Sequence, residues 1–167
     1  MADRHNSVRE GIYAGFIGAT AVAVWFFIVD LVAGAAMTTP DLLGRGLISI
    51  LGKSPMLPDT ALANVAVYTV FHYVAFALVG ILLTVVIHQS ARTPAILAGL
   101  LLAFVAFQLG AIGLTTLLMQ SDYGGLAWYQ IFIANVLGAG LMFWFMWRRH
   151  PRLAHDIEAG LAGTDDN

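Results

Sequence analysis

Five polar residues interrupt the long apolar stretches of this 167-residue sequence, and their side chains are the ones that could do chemistry. They are a carboxylate, a phenol, an imidazole and two carboxamides, at Asp30, Tyr68, His72, Gln108 and Asn135. A charged group inside a membrane-length apolar segment costs about 2.5–3.5 kcal/mol on insertion scales, so such groups face a partner or a wet cavity. Asp30 is therefore a candidate for a functional site.

The positions of these residues predict one polar layer. His72, Gln108 and Asn135 each lie about 15 Å from the same end of their apolar segments, and Asp30 lies about 10 Å from that end. Tyr68 precedes His72 by one helical turn, so the two side chains share a face. We expect all five to line a pocket in one half of a helix bundle. The other half is comparatively apolar, which argues against a continuous ion pathway.

Two interpretations of this layer are open. In the first, Asp30 pairs with His72, and Tyr68, Gln108 and Asn135 complete a site for a small ligand, a quinone-like headgroup or a proton. In the second, the same groups only join neighbouring helices, since hydrogen bonds between helices contribute about 0.6–2 kcal/mol each. For Gln108 and Asn135 taken alone, the second interpretation is favoured.

Cysteine is absent, which excludes thiol nucleophiles, thiolate metal sites and iron-sulfur clusters. No catalytic residue is assigned and no metal is predicted, because Asp30 and His72 alone would leave zinc under-coordinated. His72 could serve as an axial ligand of haem or of a pigment. A second axial histidine would then have to come from another copy of the chain. The cofactor therefore stays unknown.

The composition predicts an all-α integral membrane protein that forms a single domain over residues 1–167. Hydrophobic residues make up 59% of the chain and charged residues 11%, against about 45–50% and about 25% in soluble domains. Four segments reach the roughly 20 apolar residues that a spanning helix needs; they cover residues 11–37, 63–87, 94–119 and 126–147. Short connections make the last three antiparallel to their neighbours. The first is too long for a cleaved signal peptide, so we expect it to be retained.

The linker between the first two segments is the long one, and it predicts a short amphipathic helix in the outer interface. Thr39 is the expected N-cap and Pro40 the first helical residue. The alternative is an ordinary connector whose apolar residues touch the bundle.

Basic residues are distributed unevenly between the two ends of the segments. Six arginines fall on the side that both termini share, whereas Arg45 and Lys53 fall on the other; the six are Arg4, Arg9, Arg92, Arg148, Arg149 and Arg152. The positive-inside rule then places both termini, with the tail 148–167, in the cytoplasm. The net charge of -2 and the scattered cations exclude a nucleic-acid footprint.

Small residues recur at helical spacing in the first and last segments. They are Gly11, Gly15, Gly18, Ala134 and Gly138. Such spacings allow close backbone approach between helices. Contacts within one bundle are the favoured interpretation, and self-association or docking on other membrane subunits is the alternative.

Three short patterns carry a family resemblance. They are WFFIVDLVAG at 25–34, TPDLLG at 39–44 and YTVFHYVAF at 68–76. These patterns resemble the first two helices of small bacterial four-helix membrane proteins that have no assigned activity. The resemblance implies a bacterial four-span architecture and transfers no catalytic residue.

We therefore predict a multi-pass protein of the bacterial inner membrane that is more plausibly non-enzymatic than an enzyme. Its leading predicted role is an accessory or assembly subunit of a larger membrane complex, with the lipid bilayer and other subunits or a second copy as partners. The alternative is binding or transport of a quinone-like or lipid-like small molecule at the Asp30 and His72 layer. A third possibility is a pigment- or haem-associated subunit with His72 as ligand.

Overall fold

A computed structural model describes residues 2–52, 60–90, 104–114 and 128–149 of the chain. These residues form five α-helices and, within those ranges, no strand, in agreement with the predicted all-α class. The helices are α1 (Ala2–Val32), α2 (Thr38–Leu51), α3 (Ala61–Ser90), α4 (Phe104–Leu114) and α5 (Trp128–Arg149).

Three of the helices are long and apolar enough to cross a membrane. The spanning parts are Ser7–Val32, Ala61–Val86 and Trp128–Arg149. Helix α4 is the described part of the segment predicted over 94–119. The remainder of that segment, residues 126 and 127, and the tail from 150 to 167 lie outside the described residues.

Helix α1 ends five residues earlier than predicted, because the chain reverses through a turn at 33–37. Gly34 has a φ of 81° and Met37 a φ of 68°, both in the left-handed region that ends helices. Met37 occupies the N-cap position and α2 begins at Thr38. The prediction that Thr39 caps this helix was therefore wrong. Pro40 lies within the first turn of α2, where its missing N–H costs no helical hydrogen bond.

Helix α1 is the central element, and α3 and α5 both run antiparallel to it. Gly11 and Gly15 of α1 lie against Gly80 of α3, and Gly18 of α1 lies against Met142 of α5. The principal buried cluster joins these three helices; it comprises Ala14, Ala19, Val22, Phe76, Ala134, Met142 and Met146. Many other large apolar side chains point outward, as expected of helices surrounded by lipid.

Helix α2 confirms the short helix predicted between the first two spans, and it is amphipathic. Its buried residues are Thr39, Leu43, Gly44 and Leu47, whereas Arg45 is exposed. The four-residue spacing of this buried face matches one side of a helix. Leu43 and Leu47 pack with Val67 and Tyr68 of α3, which places α2 across the end of the bundle where α1 finishes.

Candidate functional site

Asp30 lies near the end of α1, and its carboxylate is used by the start of α2. The Thr39 N–H donates to Asp30 Oδ2 at 2.8 Å, and Thr39 Oγ1 donates to Asp30 Oδ1 at 2.6 Å. Both residues are buried, at 5% and 4% exposure. The first turn of a helix has unpaired N–H groups and the positive end of the helix dipole, so a carboxylate is stabilised there. We call this contact the Asp30–Thr39 clamp.

A second contact attaches α2 to α3. The Asn64 side-chain amide donates to Asp41 Oδ1 at 2.8 Å, and Arg45 lies 3.6 Å from the other Asp41 oxygen. Gly44 contacts the backbone of Asn64 so closely that a Cβ atom there would overlap the Asn64 carbonyl oxygen. Sequence reasoning assigned no role to Asp41, Gly44 or Asn64 in this junction. The available signal was a glycine inside a helical pattern, which is unfavourable unless packing requires it.

His72 lies in the middle of α3 and contacts α1. Its Nε2 is 3.0 Å from the carbonyl oxygen of Ala19, and because a carbonyl only accepts, Nε2 carries the proton. The ring also packs against Tyr68, at 5.6 Å between centroids, and Phe76, at 4.7 Å. One of the two interpretations of the polar layer paired Asp30 with His72; in the structure Asp30 accepts from Thr39, and His72 bonds to Ala19 instead.

Asp30, Thr39, Tyr68 and His72 nevertheless line one cavity between α1, α2 and α3. Its volume is about 320 Å³, near the lower end of the roughly 300–1,000 Å³ of small-molecule sites. The rest of its wall is mainly apolar, and includes Phe26, Phe27, Met37, Pro40, Val65 and Tyr73. An apolar wall with a few polar groups is typical of a ligand site. We call this space the α2 cavity.

Gln108 and Asn135 form a separate pair. Asn135 Nδ2 donates to Gln108 Oε1 at 2.7 Å, and both side chains are buried. Gln108 Nε2 is buried and has no hydrogen-bond partner among the described residues. Asn135 also lines a second cavity of about 270 Å³, which shares Tyr68 and His72 with the α2 cavity. The structure thus divides the predicted polar layer into three parts: the Asp30–Thr39 clamp, the Gln108–Asn135 amide pair, and the rings of Tyr68 and His72, which line both cavities.

The small residues of α1 and α5 lie at helix contacts. A Cβ atom at Gly11 would come within 2.5 Å of the Ile81 Cα, and one at Gly15 would overlap the Phe76 carbonyl oxygen. Further along, Gly18 contacts Met142, Gly138 contacts Val22, and Ala134 is 1% exposed. Gly80, the residue of α3 that faces Gly11 and Gly15, was missed because it stands alone in its helix without a spacing pattern.

The described groups define what the site could hold. If His72 ligated a haem or pigment, it would do so through Nδ1, since Nε2 donates to Ala19. Within the described ranges, no three histidine, aspartate or glutamate side chains come together as a metal-binding group.

The fold and the cavity define an all-helical protein with three helices long and apolar enough to span a membrane and with buried polar side chains between its helices. In comparisons with protein-family models, curated proteins and solved structures, nothing matches this chain.

Proposed function

We propose that the chain is a four-span membrane protein of the bacterial inner membrane. Helices α3 and α5 both run antiparallel to α1, so the end of α3 and the start of α5 are at opposite ends of the bundle. A connection between them crosses the membrane once more. Helix α4 supports this fourth crossing, because Phe107 packs on Phe76 of α3 and Gln108 bonds to Asn135 of α5.

Both termini are proposed to lie in the cytoplasm. Arg9 of α1 and Arg148 and Arg149 of α5 are at the same end of the antiparallel pair, and the positive-inside rule places that end in the cytoplasm. Reporter fusions after residue 149 and within α2 test this: an enzyme active only in the periplasm should be active at the second position alone. Activity at the first position would contradict the proposed orientation.

The function that the geometry supports best is binding of a small, mainly apolar molecule with a polar headgroup in the α2 cavity. The α2 cavity itself carries this proposal, because it places Tyr68 and His72, together with Asp30 and Thr39, on a mainly apolar wall. Phe26, Phe27 and Tyr73 provide aromatic surface for a planar group. A quinone-like headgroup fits this combination of ring contacts and hydrogen-bonding groups.

The occupied state of Asp30 favours binding over catalysis. Both of its oxygens accept hydrogen bonds from Thr39, which gives the carboxylate a structural role at the start of α2. We therefore propose a non-enzymatic binding protein.

Calorimetric titration with decylubiquinone, in a mild detergent, tests this function. The wild-type protein should bind it saturably. Ala23→Phe adds a ring to the wall of the α2 cavity, and the resulting overpacking should weaken binding about tenfold or more. The matched control is Ala66→Phe, at an exposed position of α3 outside the cavity wall, and it should bind as the wild type does. Equal binding by both variants, or no saturation beyond detergent partitioning, would refute the proposal.

A role as an accessory subunit is the second candidate, and it is supported by three helical glycines. Within the described part of the chain, no packing neighbour lies within 4 Å of where a Cβ would stand at Gly110, Gly113 or Gly140. A glycine gains little by facing lipid, whereas it permits close approach of a helix from another subunit. Copurification from native membranes tests this role. A chain recovered alone, with Gly140→Leu behaving identically, would contradict it.

A further inference from the structure

A groove larger than the two cavities described above lies along the outside of the α1 and α5 pair, and it shares Thr20 and Val24 with the wall of the α2 cavity. Its volume is about 730 Å³. The α1 residues that line it lie between Arg9 and Ile28. These two ends are about 28 Å apart along the helix axis. The groove therefore extends over nearly the whole apolar thickness of a bilayer, which is about 30 Å.

The chemistry of the groove changes from one end to the other. Arg9 of α1 and Arg149 of α5 both line one end, and the remaining wall is predominantly apolar. No aspartate or glutamate is among the described residues that line it. Each guanidinium lies over an aromatic ring of the wall: Arg9 is 5.7 Å from the Tyr13 centroid, and Arg149 is 5.2 Å from that of Phe145.

This distribution matches the chemistry of an anionic phospholipid. Two cations from different helices can hold a phosphate between them, and arginine binds phosphate oxygens through paired N–H donors. An acyl chain then follows the apolar wall along the membrane normal. Basic pockets between spanning helices are recognised sites for anionic lipid headgroups.

We propose that this groove binds one anionic phospholipid, with its phosphate at Arg9 and Arg149 and an acyl chain between α1 and α5. Both arginines lie outside the wall of the α2 cavity, so this proposal does not rest on the ligand proposed there. Its occupant is distinguished from bulk lipid by its headgroup charge and by its position between two helices.

Native mass spectrometry of the full-length protein tests the site, with dioleoyl phosphatidylglycerol and dioleoyl phosphatidylcholine as probes. One basic residue near an anionic lipid contributes about fivefold in affinity, so Arg149→Gln should weaken phosphatidylglycerol binding about fivefold and R9Q/R149Q about 25-fold. Phosphatidylcholine, whose choline cation offsets the charge of its phosphate, should bind the wild type more weakly and should lose less affinity in the arginine variants. The matched control is Arg148→Gln, since Arg148 is adjacent to Arg149 but lies over Trp144 and outside the groove.

A loss in Arg148→Gln equal to that in Arg149→Gln would overturn the proposal, because it would indicate general electrostatic attraction. Equal affinity for both lipids in the wild type would overturn it as well. Ala21→Phe fills the groove without changing charge and should weaken binding of the acyl chain. If that variant instead converts a dimer to a monomer by light scattering, the groove is covered by a second copy and the lipid proposal is wrong. Should Ala21→Phe fail to fold, the arginine variants decide the question.

Discussion

The Asp30–Thr39 clamp makes a quantitative prediction about the attachment of α2. Asp30→Ala removes the acceptor of two hydrogen bonds and leaves the Thr39 N–H without a partner at a residue that is 4% exposed. Hydrogen bonds to charged groups contribute about 1.5–3 kcal/mol, and an unsatisfied buried donor costs about 1–3 kcal/mol. The lost hydrogen bonds and the unsatisfied N–H are partly the same effect, so the two ranges are not added in full. We expect α2 to lose about 3 kcal/mol of local stability.

Hydrogen exchange measured by mass spectrometry on peptides from α2 is the suitable assay. When exchange is limited by local opening, a loss of about 3 kcal/mol accelerates it about 100-fold. Asp30→Asn should cost less, about 1–2 kcal/mol of local stability. The amide oxygen can still accept from the Thr39 N–H, and the amide nitrogen can donate to the Thr39 hydroxyl once that hydroxyl has rotated. The exchange of α3 and α5 peptides should stay at wild-type rates.

The adjacent threonines of α2 provide a matched control. Thr39→Val removes the hydroxyl that donates to Asp30, whereas Thr38→Val removes an exposed hydroxyl that donates to the Ala35 carbonyl. Only the first should accelerate exchange in α2 and show coupling with Asp30→Asn in a double-mutant cycle. If Asp30→Ala leaves the exchange of α2 unchanged, or if the two threonine variants behave alike, the clamp does not hold α2 in place.

Two further predictions concern the contacts between the spans. Gly15→Val should lower the melting temperature in detergent sharply, because its Cβ would overlap the α3 backbone. Gly140→Val should not, since no neighbour among the described residues lies within 4 Å of the Cβ position there. Equal melting temperatures would refute the close contact at Gly15. Gln108→Leu alone should cost about 1–3 kcal/mol, because the Asn135 amide loses its acceptor, whereas the double change to leucine at both positions should be nearly neutral. If the double variant is less stable than Gln108→Leu alone, the hydrogen bond between the two amides does more than satisfy two buried polar groups, and this reasoning is refuted.

Depth along the helices could be read from the sequence, but the partners of each polar group could not. Counting residues from the segment ends placed Gln108 and Asn135 at the same height, and they bond to each other. The same count placed Asp30 near His72, and both line the α2 cavity. Asp30 bonds to Thr39 instead, because the turn at 33–37 brings α2 back over the end of α1.

That turn depends on backbone torsions which apolar periodicity does not encode. Gly34 is a recognisable turn residue, but Met37 adopts a left-handed conformation that its residue type does not favour. A single residue in that region changes the direction of the chain, and hence which donor reaches Asp30. The general fold class follows from apolar length alone and was accordingly accessible from sequence.

The central position of α1 also has a consequence for the order in which the protein is made. The described core cluster takes three residues from α1, three from α5 and only Phe76 from α3. Synthesis proceeds from the N-terminus, so residues 33–127 are added before α5, which supplies three of these buried residues, begins to emerge. Until then, the side of α1 that faces α5 meets lipid or the insertion machinery, which its apolar character permits. The glycine contact with α3 forms first, and the bundle closes only when its last helix arrives.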